Sequence, residues 1–162
     1  MDTARLRWST ARAARALIVL WSVVTVVGAL FDAALQPELH IDFLVYRTGA
    51  QHLLTGRPLY AEALDPGVPG FLMYFTYPPF GALLLSGSAI GTPALAAAGH
   101  TVASLTALLG LSWIVVSRCG GGAWAALAGA NAMSLLMPVV SHLTWGQVGL
   151  FLIVLLAADW LP

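Results

Sequence analysis

Charge is what this sequence has least of. Only 9% of its 162 residues are Asp, Glu, Lys or Arg, while 59% are hydrophobic and mean hydropathy is +0.86. Soluble domains carry about a quarter charged residues. The shortage excludes an ordinary soluble enzyme and a disordered chain. Lysine is absent: the seven basic residues are all arginine, matched by seven acidic ones. A formal net charge of +0 leaves no electrostatic footprint for a phosphate backbone, so no nucleic acid is expected as a partner. One cysteine, Cys119, excludes an internal disulfide and reads as a small apolar filler. No His or Cys pair has metal-ligand spacing, there is no Asp-x-Asp, and Gly120-Gly121-Gly122 lacks the Lys-Ser/Thr of a phosphate loop. No metal or other cofactor is expected. What remains is an integral membrane protein.

The apolar residues fall into runs. Arg5, Arg7, Arg12 and Arg15 precede the first of them. By the positive-inside tendency, residues 1–15 form a basic cytoplasmic N-terminus and residues 16–35 a first transmembrane helix that emerges on the outer face. A signal peptide would be followed by a small-residue cleavage site and a soluble domain, whereas here further apolar runs follow. Residues 36–77 hold Glu38, Asp42, Arg47, Arg57, Glu62 and Asp65, and read as an extracytoplasmic loop. Within it Phe43, Tyr46, Ala50, Leu53 and Leu54 share one helical face. Arg47, Thr48, Gln51 and His52 fall away from that face, as in a helix lying in the membrane interface.

Residues 78–162 are expected to add helices over about 78–91, 94–117, 123–140 and 149–162. The first of these is short of the ~20 residues a span needs. It reads either as a short span that thins its bilayer or as re-entrant. Gly122, Ala126, Ala130 and Ser134, at four-residue steps, form a small-residue face for close helix contact. Sidedness stays open at Arg118, which strict alternation puts outside and the positive-inside tendency puts inside.

Three segments carry candidate chemistry. Asp42, a few residues beyond the first span, has two readings: an N-cap that accepts backbone N–H groups, or a general base at the membrane surface. Tyr46 at i+4 shares its face. Phe75-Thr76-Tyr77-Pro78-Pro79-Phe80 is either a helix start with an interfacial aromatic or a rigid lead-in that holds the loop against a substrate groove. His142-Leu143-Thr144-Trp145-Gly146-Gln147 is either an interfacial loop or the wall of a polar cavity, with Gln147 contacting a sugar or phosphate. His52 and His100 read as structural or interfacial.

Taken in order, a set of motifs resembles one family. They are Asp42-Phe43-Leu44-Val45-Tyr46, Gly49-Ala50, Leu53-Leu54, Gly56-Arg57-Pro58-Leu59-Tyr60, Phe75-Thr76-Tyr77-Pro78-Pro79-Phe80 and Trp145-Gly146-Gln147. They resemble the actinobacterial polyprenyl-phosphate-mannose-dependent α-mannosyltransferases, which extend phosphatidylinositol mannosides and lipoglycans. The resemblance implies an all-α integral membrane protein, the N-terminal portion of a GT-C multi-span glycosyltransferase, in the plasma membrane. It implies Asp42 as the catalytic base in an inverting, in-line displacement at the mannose anomeric carbon. Tyr46, Tyr60, Tyr77 and Gln147 are the substrate-binding candidates that accompany it, and Arg47 and Arg57 join them by charge and position. The implied partners are a polyprenyl-phosphate sugar donor, a glycolipid acceptor and membrane lipids. A lipid-phosphate donor also accounts for the missing Asp-x-Asp.

The family's chains carry more spans than this length holds, so the resemblance implies a truncated or split member that works with a separate C-terminal half. The competing readings are an inactive remnant or membrane partner protein, and a small transporter or channel subunit. A transporter would place its polar residues mid-span, whereas here they cluster in the first loop.

Overall fold

The structure is a computed structural model that describes residues 3–160, without the side chains of residues 3–9. The side chains of Arg5 and Arg7 of the expected positive cluster therefore lie outside what is described, as does the end of the run expected over 149–162. The described residues form an all-α membrane protein. The helices are α1 (Thr3–Leu35), α2 (Ile41–Leu54), α3 (Pro79–Leu84), α4 (Pro93–Arg118), α5 (Ala123–Met133), α6 (Met137–Trp145) and α7 (Gly149–Trp160), with 3-10 turns at Pro37–Leu39 and Ser86–Ala89. The only pairing of extended chain among the described residues is an isolated antiparallel bridge, Leu64 with Met73, inside the long α2–α3 connection.

Two helices are long and apolar enough to cross a membrane, Thr10–Leu35 within α1 and Pro93–Arg118, each of 26 residues. At ~1.5 Å per residue each rises about 39 Å, against a hydrocarbon core of about 30 Å. The start of α4 is well specified. Thr92 accepts the Leu95 N–H at 3.2 Å, and Pro93 occupies the first turn, where its missing N–H is harmless.

The later runs differ from the expectation. Residues 123–140 are not one helix: α5 and α6 meet at a 78° bend, and together they count as a third span at most. Leu136 is extended and Pro138 lies in the first turn of α6, so the helix of α5 does not continue through it. The run at 78–91 is the six-residue α3 followed by a 3-10 turn. A six-residue helix rises about 9 Å and crosses nothing.

Helix α4 sits at the centre, packed against α1, α5 and α7. On the expected small-residue face Ala126 and Ala130 are buried, while Gly122 is the exposed N-cap of α5. Gly129, off that stripe, makes a close approach: a Cβ there would lie 2.5 Å from the Ser112 hydroxyl of α4. That hydroxyl donates to the Ala126 carbonyl at 2.7 Å. A polar seam joins α1 to α5, in which Ser22 Oγ donates to Asn131 Oδ1 (3.0 Å) and Asn131 Nδ2 donates to the Ile18 carbonyl (2.8 Å).

Helix α2 is enclosed more fully than an interfacial helix. Phe43, Tyr46 and Ala50 are buried, as their spacing predicts, and Leu53 packs against the same core. Leu54 is exposed and Arg47 is buried, the reverse of their expected places. Leu44 and Val45 are buried too, so five successive residues are covered.

Asn131→Ala removes both ends of the α1–α5 seam. It is expected to destabilise the protein by about 0.5–1.5 kcal/mol, the usual scale of interhelical hydrogen bonds in membranes. Denaturant titration in micelles checks this, with Ala132→Ser, an exposed neighbour, as the unchanged control.

Candidate functional site

Helix α2 is the axis on which the separate sequence motifs meet. Its period places Asp42, Tyr46, Gly49 and Leu53 on one face. A Cβ at Gly49 would lie 2.5 Å from the Phe75 ring, so Phe75 seats directly on the helix backbone. One turn earlier the Tyr46 and Tyr77 rings meet edge to face, with centroids 5.1 Å apart. The Tyr60 hydroxyl donates to the Tyr77 carbonyl at 2.7 Å, closing the aromatic group from the other side. At the N-terminal end of α2, Gly146 takes a left-handed φ of +70° to end α6, and a Cβ there would lie 2.5 Å from Phe43 Cβ. The segments around residues 42–49, 75–80 and 145–147 are thus brought to one place.

Asp42 is half-buried in the first turn of α2. The N-cap is His40, and no side chain caps the helix by a hydrogen bond, which corrects the N-cap reading of Asp42. Among the described residues nothing donates a hydrogen bond to the Asp42 carboxylate. Beside it, burial pushes the Tyr46 phenol well above the ordinary tyrosine range, and the Tyr77 hydroxyl and Asp42 carboxylate push the same way. Tyr46 therefore stays protonated, a hydrogen-bond donor next to an acceptor-only carboxylate.

Two histidines organise the far wall: His100, read from the sequence as structural or interfacial, and His142, from the segment read as an interfacial loop or the wall of a polar cavity. His100 Nε2–H donates to the Gln147 carbonyl at 3.1 Å, and its ring packs on Phe43 at 4.8 Å. His142 stacks on His100 at 6.3 Å. The Leu150 N–H donates to His142 Nδ1 at 3.3 Å, so Nδ1 carries no proton and Nε2–H faces Ser104 Oγ at 3.0 Å. The Gln147 backbone is fixed in this way, while its side chain has no hydrogen bond among the described residues. Among those residues no group of three or more His, Cys, Asp or Glu is placed to hold a metal ion.

The two arginine candidates lie apart from this group. Arg47 is buried, and its guanidinium donates to the carbonyls of Ser88, Ile90 (3.3 Å) and Gly91 (2.6 Å). It ties α2 to the turn before α4, and its donors are used in doing so. Arg57 is exposed and lines a cleft on the far side of α2. An apolar groove of about 1020 Å³ opens beside Tyr77 and Phe43, between α3, α4 and α7, lined by Phe80, Leu84, Leu95, Phe151 and Leu155. The only sequence signal for it was that the apolar residues of 80–85 and 150–155 outnumber those a small core can cover.

Gly49→Ala and Gly146→Ala each force a methyl group into an occupied position, and the second also strains a left-handed backbone. Each should destabilise by about 1–3 kcal/mol in micellar unfolding, whereas Gly99→Ala, with open space around it, should not. A pH effect follows from His40. Burial lowers its pKa below 6.5, against smaller opposite pulls from a Gln36 backbone hydrogen bond and the Asp32 carboxylate. Below pH 6.5 the unfolded chain binds a proton that the folded chain refuses, so stability is full above 6.5 and falls as pH drops towards the lowered value. Unfolding midpoints measured across that window should show the loss in wild type and a smaller one in His40→Asn.

Comparison with known proteins identifies a family and two relatives. The model of glycosyltransferase family 87 matches residues 75–162, which include the Tyr-Pro-Pro and Trp-Gly-Gln segments and begin beyond Asp42. Two curated relatives are both named polyprenol-phosphate-mannose-dependent alpha-(1-2)-phosphatidylinositol mannoside mannosyltransferase. The one from Mycolicibacterium smegmatis is 33% identical over 75% of this chain and 31% of its own length. The one from Mycobacterium tuberculosis is 32% identical over 75% of this chain and 32% of its own length. The chain thus spans about a third of the length of these relatives. No solved structure matches. With the family model covering more than half of its residues, the chain belongs to glycosyltransferase family 87.

Proposed function

We propose that this chain supplies the acceptor-activating part of a plasma-membrane mannosyltransferase that uses a polyprenyl-phosphate-mannose donor and a glycolipid acceptor. One observation carries the reading: segments far apart in sequence, around Phe75–Tyr77 and Gly146, pack against α2, the helix that bears Asp42. The donor and acceptor classes are those in the names of the two relatives.

In this reading the Asp42 carboxylate takes the proton of an acceptor hydroxyl as its oxygen bonds to the anomeric carbon of mannose. The bond from that carbon to the lipid phosphate breaks in line, and the polyprenyl phosphate leaves with the electron pair. A single displacement inverts the anomeric centre. Tyr46, with its proton retained, Tyr60, Tyr77 and Gln147 orient the sugars by hydrogen bonds and ring contacts. The apolar groove beside Tyr77 takes the isoprenoid chain, whose entire surface is hydrocarbon. Arg47 acts on the site only by holding α2 in place. The N-terminus is cytoplasmic and residues 36–77 face outward, which puts the acceptor on the outer surface.

The test is mannosyl transfer from polyprenyl-phosphate-mannose in membranes that carry the chain, alone or co-expressed with the product of the adjacent reading frame. Transfer in either arm is expected, with Asp42→Asn about 10²–10⁴-fold slower, the usual contribution of a general base. Equal rates for Asp42→Asn and wild type remove Asp42 from the mechanism. No transfer in both arms overturns the transferase reading.

A further inference from the structure

The face of α2 turned away from Asp42 borders a second site. Leu44, Thr48, Gln51 and Thr55, at helical spacing, line a cleft of about 1040 Å³ closed by the segment 57–67 and by Pro93 at the start of α4. Ligand pockets occupy roughly 300–1,000 Å³, so its size suits a ligand larger than one sugar ring. Asp42, Tyr46 and Gly49 lie on the opposite side of the helix, about 10 Å away through its width.

Part of the polar lining is free to meet a ligand. Arg57, Glu62 and the Gln51 amide have no side-chain hydrogen bond or ion pair among the described residues. The other polar groups there are engaged. Thr48 donates to the Leu44 carbonyl, Thr55 to the Gln51 carbonyl, and Asp65 accepts the Gly67 N–H. His52 Nδ1–H donates to the Pro58 carbonyl at 2.9 Å, which leaves Nε2 as an acceptor. The formal charges of the lining cancel, Arg47 and Arg57 against Glu62 and Asp65. Pro58, Ala63 and Pro93 supply apolar surface between them, over the buried Leu44, Leu64 and Pro66.

A cation, a carboxylate and an amide with no net charge suit a ligand that donates and accepts at once and carries no charge. Vicinal hydroxyls do this, since each has one donor and two acceptor sites, and the C–H faces of a sugar ring suit the exposed proline surface. A phosphate would gain from Arg57 and lose as much to Glu62 and Asp65. We propose that this cleft is a second carbohydrate site, which holds a mannoside segment of a glycan at a distance from the reacting hydroxyl. The choice of mannose rests on the transferase reading above. The site gives the chain a grip on neutral glycan that does not involve Asp42, and it favours acceptors long enough to pass around α2.

Binding tests this without any transfer. Saturation-transfer NMR on the full chain in detergent micelles uses α-linked mannotriose as the neutral probe and inositol 1-phosphate as the anionic one. Mannotriose is expected to bind with a Kd of about 1–10 mM, where ΔG is only a few kcal/mol. Arg57→Ala and Glu62→Gln, at exposed positions, should each weaken it by about tenfold, and Glu38→Gln, exposed and outside the cleft, should leave it unchanged. No mannotriose signal, stronger binding of inositol 1-phosphate, or equal binding by wild type and both cleft variants overturns the proposal. These outcomes stand apart from the transfer assay. A failed cleft leaves Asp42 chemistry untouched, and a failed Asp42 leaves the cleft.

Discussion

Between Gly146 and the Phe43 side chain there is no room for a methyl group. The rest of the site depends on that contact. It brings the turn between α6 and α7 onto the first turn of α2 at van der Waals distance, and a left-handed glycine is the residue that turns the chain there without strain. His100 can then reach the Gln147 carbonyl while resting on Phe43, and His142 can stack behind it and accept the Leu150 N–H. A second close approach, Gly49 against Phe75, fixes the middle of the same helix. Asp42 owes its surroundings to these two points, since neither α6 nor the 75–80 segment adjoins α2 in sequence.

Arg47 and the irregular turn before α4 solve each other's problem. A buried guanidinium is costly unless its donors are filled, and backbone carbonyls outside a helix are costly at membrane depth unless something donates to them. The carbonyls of Ser88, Ile90 and Gly91 meet the guanidinium. This is why the chain can leave the short α3, run through a 3-10 turn and begin α4 without a continuous helix. It also explains why a single charged residue sits in the buried set beside apolar neighbours on α2.

Much of the fold was legible in the sequence. The apolar run of α1, the Thr92-Pro93 start of α4 and the buried face of Phe43, Tyr46 and Ala50 all follow from local rules, which act over one or two turns. The order of motifs around Asp42 carried the family resemblance. What local rules missed has a common cause. Periodicity assigns arginine to solvent, so the burial of Arg47 was invisible, because its partners lie more than forty residues away. Hydropathy does not see Pro138 as a break between two apolar helices, so residues 123–140 read as one span. His100 and His142 differ from any half-buried histidine only through partners on other helices. The apolar groove and the polar cleft are spaces between elements, and a space has no residue pattern of its own.

The Arg47 clamp has one more consequence. Its acceptors immediately precede Thr92 and Pro93, so the clamp couples α2 to the end of a membrane-crossing helix rather than to a loose loop. The depth of α4 is set by matching its hydrophobic length to the lipid around it. Helix α2, and the carboxylate in its first turn, ride at a height that the lipid bilayer determines. Bilayer thickness thus becomes a variable of the site itself: thinner or thicker lipid moves Asp42 relative to the headgroups.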